Sequence, residues 1–350
     1  MQIRQNLQIR DTFMPVVFIG VLLINCIAPL QSGQAQAPMV PTIVVGTDGV
    51  AGEVGIWSMD PAGVNPPFLV LEIDGEPVPA GLVWSPTGEM LAFHTNLKDN
   101  VDVYSVNADG KNLRRLTEHE AEDSSPTWHP SGQKLAFATN RDGNFEIYTM
   151  TAQGNVGGNL TADAAPDIDP SWSPDGRKIA FSTKRGRTIA DIYVMDSKGE
   201  NLQNITNHKG QDIQPRWSPD GETLAWVSRR DGTGDVYIID SDGENQRWVK
   251  STEEKKDATW SPDGKSIASL SFPQGIFLYH AIDELGVGET LEADLKAAKN
   301  FLQILVLDKG RRARSPAWFD PAFPAPPFDV EPADKRPLTW GWIKDLGPRD

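Results

Sequence analysis

Five histidines, His94, His119, His129, His208 and His280, carry the ring nitrogens of this 350-residue chain that could hold a metal or move a proton. A metal site needs two or three such ligands to converge. His119 and His208 stand at matching places, each two residues after a Thr that follows an apolar residue, so a divalent cation between them is one expectation. His94 follows an apolar triplet and His129 replaces Ser in a recurring pentapeptide, which makes both turn or surface histidines. The carboxylates have a clearer pattern. Asp123, Asp167 and Asp212 each precede a Trp by five residues, and Asp142 and Asp231 sit in Asp-Gly turns. On one face of the molecule these five, with His119 and His208, could bind a cation or a basic partner. The competing reading is that each Asp caps its own loop by accepting backbone N–H bonds. Asp240-Ser241-Asp242-Gly243 begins like a calcium loop but lacks the ligand spacing and closing Glu, so it reads as a hairpin turn. There is no Gly-x-Ser-x-Gly nucleophile elbow, and no catalytic residue is expected.

The first 37 residues read as a signal peptide. Arg4 and Arg10 precede an apolar stretch from Phe13 to Leu30, and Ser32 to Ala37 supplies the small residues of a cleavage site after Ala35 or Ala37. Retention as an uncleaved anchor is disfavoured by Pro15, Asn25 and Pro29, which make a poor membrane span. The expected location is therefore the periplasm or the exterior. Cys26, the only cysteine, leaves with the leader, so no disulfide or Cys-ligated metal is available to the mature chain. Arg4, Arg10 and Asp11 also leave, a net +1, which moves the formal charge from −15 to −16. So acidic a chain is not expected to bind nucleic acid, since phosphate binding needs clustered Lys and Arg.

What must position these residues is a repeat. Trp84-Ser85-Pro86-Thr87-Gly88 recurs with variations from Trp128, Trp172, Trp217 and Trp260, at steps of 44, 44, 45 and 43 residues, and a degenerate copy starts at Trp318. Seven residues after each Trp comes an apolar triplet centred on Ala, as in Leu91-Ala92-Phe93 and Ile179-Ala180-Phe181, which suggests a strand squeezed where nothing larger fits. An Asp-Gly turn, an alternating run such as Glu146 to Met150, a second Gly turn and a short strand complete each unit. Four short antiparallel strands in about 44 residues make one propeller blade. The expected fold is all-β, a six-bladed β-propeller over 38–350, with blades at about 81–120, 125–165, 169–210, 214–252 and 257–309. Its closing blade is shared by 42–74 and 314–343, which removes exposed sheet edges. Residues 281–300 read as a helical insertion and 320–335 as an extended Pro-rich segment.

Trp-Ser-Pro-Asp-Gly, then Leu-Ala-Phe, Arg-Asp-Gly, Ile-Tyr and Leu-Thr, resembles the repeat of the TolB-like, or PD40, propeller family, over roughly residues 42–320. The resemblance is to the propeller part alone, without the N-terminal α/β domain of TolB. It implies a non-catalytic scaffold that docks a protein or peptide of the cell envelope on one face of the disc. A monomer without cofactor is expected, with no integral membrane span once the leader is removed. The alternative is a metal-dependent enzyme or a carbohydrate-binding protein using the central pocket.

Overall fold

The computed structural model describes residues 38, 41–50, 53–59, 61, 68–73, 78–249, 255–271, 275–280 and 313–322. The local code of the repeat is visible in its turns. In Trp-Ser-Pro-Asp-Gly the Gly N–H bonds back to the Ser carbonyl, as in Gly176 to Ser173 at 2.8 Å, and Gly176 sits at φ 66°, a conformation open to residues without Cβ. The Ser173 hydroxyl donates to Asp175 Oδ1 at 2.6 Å and accepts from the Lys178 N–H at 2.9 Å. Each copy thus closes a tight reversal between a blade's innermost strand and its second.

These reversals organise the described residues into sheets. The first complete blade has β4 (Ala80–Trp84), β5 (Met90–Thr95), β6 (Asp102–Asn107) and β7 (Arg114–Arg115), after three strands β1 (Thr42–Val50), β2 (Glu53–Met59) and β3 (Phe68–Glu72) that belong to the closing sheet. The next has β8 (Asp123–Trp128), β9 (Lys134–Thr139), β10 (Glu146–Thr151) and β11 (Val156–Asn159). It is followed by β12 (Asp167–Trp172), β13 (Lys178–Thr183), β14 (Asp191–Asp196) and β15 (Gln203–Asn204). The fourth has β16 (Asp212–Trp217), β17 (Thr223–Ser228), β18 (Asp235–Asp240) and β19 (Arg247–Val249). The fifth shows β20 (Lys255–Trp260), β21 (Ser266–Ser271) and β22 (Gly275–His280), and β23 (Ala313–Phe319) pairs with β1 to give the order β23-β1-β2-β3. Within each sheet neighbouring strands run antiparallel, as in β8 on β9 and β9 on β10.

The architecture is therefore an all-β propeller with four-stranded antiparallel blades. Where six such blades are expected, five four-stranded sheets are described, and the sheet of β20 to β22 has three strands. The difference falls where the chain after His280 lies outside the described residues, as do the leader, the helical insertion at 281–300 and the Pro-rich segment beyond Ala322. No helix occurs among the described residues, so none there is long and apolar enough to cross a membrane.

Packing between blades explains the invariant Ala. Alternate residues of a strand point to opposite faces. In β13, Ile179 and Phe181 join Trp172 and Met195 in a cluster that also holds Ala136, Ala138 and Ile147 of the preceding blade. Ala180, on the other face, joins Ile192 and Val194 against Trp217, Leu224 and Trp226 of the following blade. All three residues of that triplet are fully buried, so the small side chain sets the distance of approach between sheets.

A cup on the axis and an ion-paired face opposite

Each innermost strand has two ends with different chemistry. At its start stand Asp123, Asp167 and Asp212, all fully buried. Asp123 pairs in register with Thr139, the last residue of β9, so the hairpin after β9 lies at the same end, and Asp142 with it. Asp167 opposite Thr183 and Asp212 opposite Ser228 repeat the arrangement, which brings Asp231 to that end too. The expected column of aspartates is thus gathered at one end of the ring.

Its members are held by internal partners. Arg141 reaches Asp123 at 3.2 Å, Arg185 reaches Asp167 at 2.6 Å and Arg230 reaches Asp212 at 3.0 Å. Each Arg lies two residues past the end of the second strand and spreads over the aromatic rings beside it, with Arg230 4.3 Å from the Tyr237 centroid and Arg141 5.0 Å from that of Tyr148. The next residue completes the device. Asp231 accepts from the Tyr237 hydroxyl at 2.7 Å, and Asp142 accepts from the Tyr148 hydroxyl. In Arg-Asp-Gly, then, Arg fixes the buried Asp, Asp fixes the Tyr, and Gly makes the turn. Burial raises the Asp167 pKa, with the Arg185 hydrogen bond opposing it, and burial together with Asp231 raises that of Tyr237.

A second acidic column escaped the sequence reading. Asp102, Glu146, Asp191 and Asp235 head the third strands and are buried as well. Arg115 meets Asp102 at 2.6 Å and Arg187 meets Asp191 at 3.3 Å, while Asn144 donates to Glu146 at 3.0 Å. The signal available was an acid directly before each Val-Tyr or Ile-Tyr pair. His119 and His208 each cap their own loop: Nδ1 accepts from the N–H of Ala121 and of Gly210, both at 3.0 Å. Among the described residues no three His, Cys, Asp or Glu side chains form a group that could hold a metal ion.

Midway along the innermost strands is a bulge. Gly81, Ser125, Asp169, Gln214 and Asp257, each three residues before a Trp, have φ between 49° and 60°. The register shifts at each of these places. Left-handed backbone at Ser, Gln and two Asp is uncommon, and neighbours hold it. Ser125 Oγ donates to Asp169 at 3.0 Å, the Gln214 N–H donates to Ser182 Oγ at 3.0 Å, and the Asp257 N–H donates to Gln214 Oε1 at 3.3 Å. Burial raises the Asp169 pKa, partly offset by Arg216.

At the far end, a cup of about 690 Å³ opens where the five Trp-led turns converge. Trp84, Trp128, Trp172, Trp217 and Trp260 line it, together with Pro86, Pro130, Pro174, Pro219 and Pro262 and with Thr127, Ser171, Arg216 and Thr259. From the sixth sheet Phe319 and Ala322 complete the rim, and Phe319 packs on Trp84 with centroids 5.6 Å apart. The Trp84 and Trp260 indole N–H groups donate to Ala317 and Arg216 carbonyls of the preceding sheet, at 3.3 and 3.1 Å. Those of Trp128, Trp172 and Trp217 have no acceptor. The exposed carboxylates of Asp220 and Asp263 stand at the mouth. Among the described residues the lining of the cup holds no His or Cys. A volume in this range, apolar walls and a few polar groups are what bind a chain segment or a small ligand.

The comparisons with known proteins agree with the fold. The family model described as TolB beta propeller domain, PD40, matches residues 77–187 and 164–290. TolB from Acinetobacter baumannii superposes with a TM-score of 0.63 at 18% identity, over 82% of this chain and 68% of that one. A putative TolB from Agrobacterium tumefaciens gives 0.57 at 19% identity, over 72% and 88%. A chain of a nidogen/laminin complex gives 0.60 at 10% identity, over 79% and 98%, so the ring architecture is shared well beyond the repeat sequence. No curated protein sequence matches.

Proposed function

Because the chain belongs to the PD40 family of TolB beta-propeller domains, we propose that it is a non-catalytic docking scaffold of the cell envelope, exported by its leader and working as a monomer without a cofactor, whose six-bladed ring receives an extended segment of a partner protein in the axial cup. The observation that carries this reading is the cup. Its lining combines five tryptophans and the prolines that follow them with polar side chains such as Ser171, Arg216 and Thr259, the mixture that holds a peptide segment. Its prolines and tryptophans suit an apolar or Pro-containing segment, and the carboxylates at its mouth suit flanking Lys or Arg. The opposite end offers less, because its buried acids are already matched by arginines or by amide and hydroxyl donors.

The test is capture of envelope proteins on the immobilised mature chain, with bound proteins identified by mass spectrometry. Thr259→Arg, which adds a long cationic side chain to the lining of the cup, is expected to lower capture at least about tenfold, the equivalent of 1.4 kcal/mol, with the unfolding midpoint unchanged. Capture that survives Thr259→Arg but is lost in Asp142→Ala or Asp231→Ala would move the site to the other face.

A further inference from the structure

Each innermost strand brings one equivalent residue to the cup, the one directly before its Trp. Val83, Thr127, Ser171, Arg216 and Thr259 stand opposite the invariant Ala of the second strand, and Ala317 stands opposite Val44 of β1. All six line the cup. Five are short and uncharged, and the sixth is an arginine. Among the described residues of the lining Arg216 is the one cation. Its guanidinium makes one hydrogen bond, to the Pro215 carbonyl of its own strand at 3.0 Å, and no ion pair with a described carboxylate. Arg141, Arg185 and Arg230 at the other end each hold a buried Asp instead. Asp169 of the preceding blade is drawn by the Arg216 charge, but it accepts from Ser125 Oγ and burial raises its pKa. Most donors of the planar Arg216 fork are thus left for a carboxylate from outside.

The cup ends near this residue. Two positions further back along each strand stand the left-handed bulge residues, and none of them lines the cup. They are tied across the blades: the Ser125 N–H donates to His94 Nδ1 at 3.1 Å, Ser125 Oγ to Asp169 at 3.0 Å, the Gln214 N–H to Ser182 Oγ at 3.0 Å and the Asp257 N–H to Gln214 Oε1 at 3.3 Å. A segment that enters from the Trp-Ser-Pro-Asp-Gly turns meets this hydrogen-bonded girdle just past Arg216. The arrangement suits a chain that stops there.

We propose that the cup takes the free carboxyl terminus of a partner polypeptide, with Arg216 as the residue that selects the terminal carboxylate. The inference rests on the reading of the cup as the docking site. An Arg fork can hold both oxygens of a carboxylate at once, which an amide or a hydroxyl cannot match. A chain bound in this direction lays its last residues among the tryptophans and prolines, and a Lys or Arg a little before its end reaches Asp220 and Asp263 at the mouth.

The probes are two mixtures of N-acetylated pentapeptides of the same composition, Lys followed by positions drawn from Ala, Leu, Phe, Pro and Ser. One mixture ends in the free carboxylate and the other in the carboxamide. Retention on the immobilised full chain is read by mass spectrometry, and the free-acid mixture is expected to be retained at least about tenfold more than the amide. In Arg216→Thr, which installs the residue that β8 and β20 carry at this place, the difference is expected to vanish while unfolding stays cooperative. In Arg216→Lys, which keeps the charge and loses the fork, part of the difference is expected to remain. A third mixture, amide-ended with one internal Glu, is expected to be retained no better than the plain amide. Equal retention of acid and amide by the unaltered chain, a preference that survives Arg216→Thr, or retention of the Glu mixture equal to that of the free acid overturns the proposal. If that happens while Thr259→Arg still lowers partner capture, the terminus proposal fails and the docking site stands. If Thr259→Arg leaves capture intact, the docking reading fails by itself.

Discussion

Arg230 touches more of its blade's chemistry than any neighbour in the Arg-Asp-Gly turn: it pairs with buried Asp212, accompanies Ser228 at 2.8 Å and covers the rings of Trp226 and Tyr237. Removing it leaves a carboxylate of zero exposure without its cation. Arg230→Ala is therefore expected to destabilise the protein by about 3–5 kcal/mol, read as a shift in urea midpoint at constant m. Asp212→Asn with Arg230→Gln is expected to recover part of that loss, because neither member then carries an unpaired charge. His129 gives a pH test. It is 6% exposed, stands edge-on to Trp172 at 4.7 Å and bonds Ser131 at 2.8 Å. Burial, helped by Lys134, lowers its pKa from 6.5 to about 4. The unfolded chain thus takes up a proton at this residue near pH 6.5 and the folded one only near 4. Its stabilising share is complete above pH 6.5 and is lost as the pH falls toward 4, by at most about 3 kcal/mol at 1.36 kcal/mol per unit. His129→Ser, the residue of the other copies, is expected to flatten the stability profile across that window in chemical denaturation at stepped pH.

Between neighbouring blades the critical spacing is set by Ala92, Ala136, Ala180, Ala225 and Ala268, each with no exposed surface. Ala180→Leu forces a branched side chain toward Trp217 and Trp226 and is expected to cost about 1–3 kcal/mol. The same change at exposed Ala164 should be nearly silent in thermal unfolding, which separates packing from propensity. The role of this Ala was legible in the sequence because a side chain that must stay small recurs at a fixed distance from Trp. Other features were hidden for physical reasons. Asp123 and Arg141 are 18 positions apart and meet only because β8 pairs with β9 so that Thr139 faces Asp123. The left-handed bulge carries a Gly only at Gly81; at Ser125, Asp169, Gln214 and Asp257 no Gly announces it. The cup draws a short run of residues from every sheet, so no local window contains it, although its five tryptophans and the prolines after them were already aligned in the repeat.

At the scale of the whole ring, β1 lies between β2 and β23, pairing Thr42 with Phe319 and Ile43 with both Trp318 and Met59. A chain ended before Ala313 keeps the other blades but loses β23, which exposes β1 as an open edge beside the core of Val44, Ile56, Trp84 and Phe93. Such a variant is expected to unfold over a broader denaturant range with a smaller m and to form aggregates visible in light scattering, whereas substitutions at the cup leave m unchanged. The same seam also constrains timing. The partners Thr42 and Phe319 are separated by nearly the full repeat array, and contacts of that span form late. During synthesis β1 emerges before the repeat array, yet its second neighbour, β23, follows that array. It must wait with one side unsatisfied until the final turns arrive, so the interval before closure is the period when this protein most needs a chaperone.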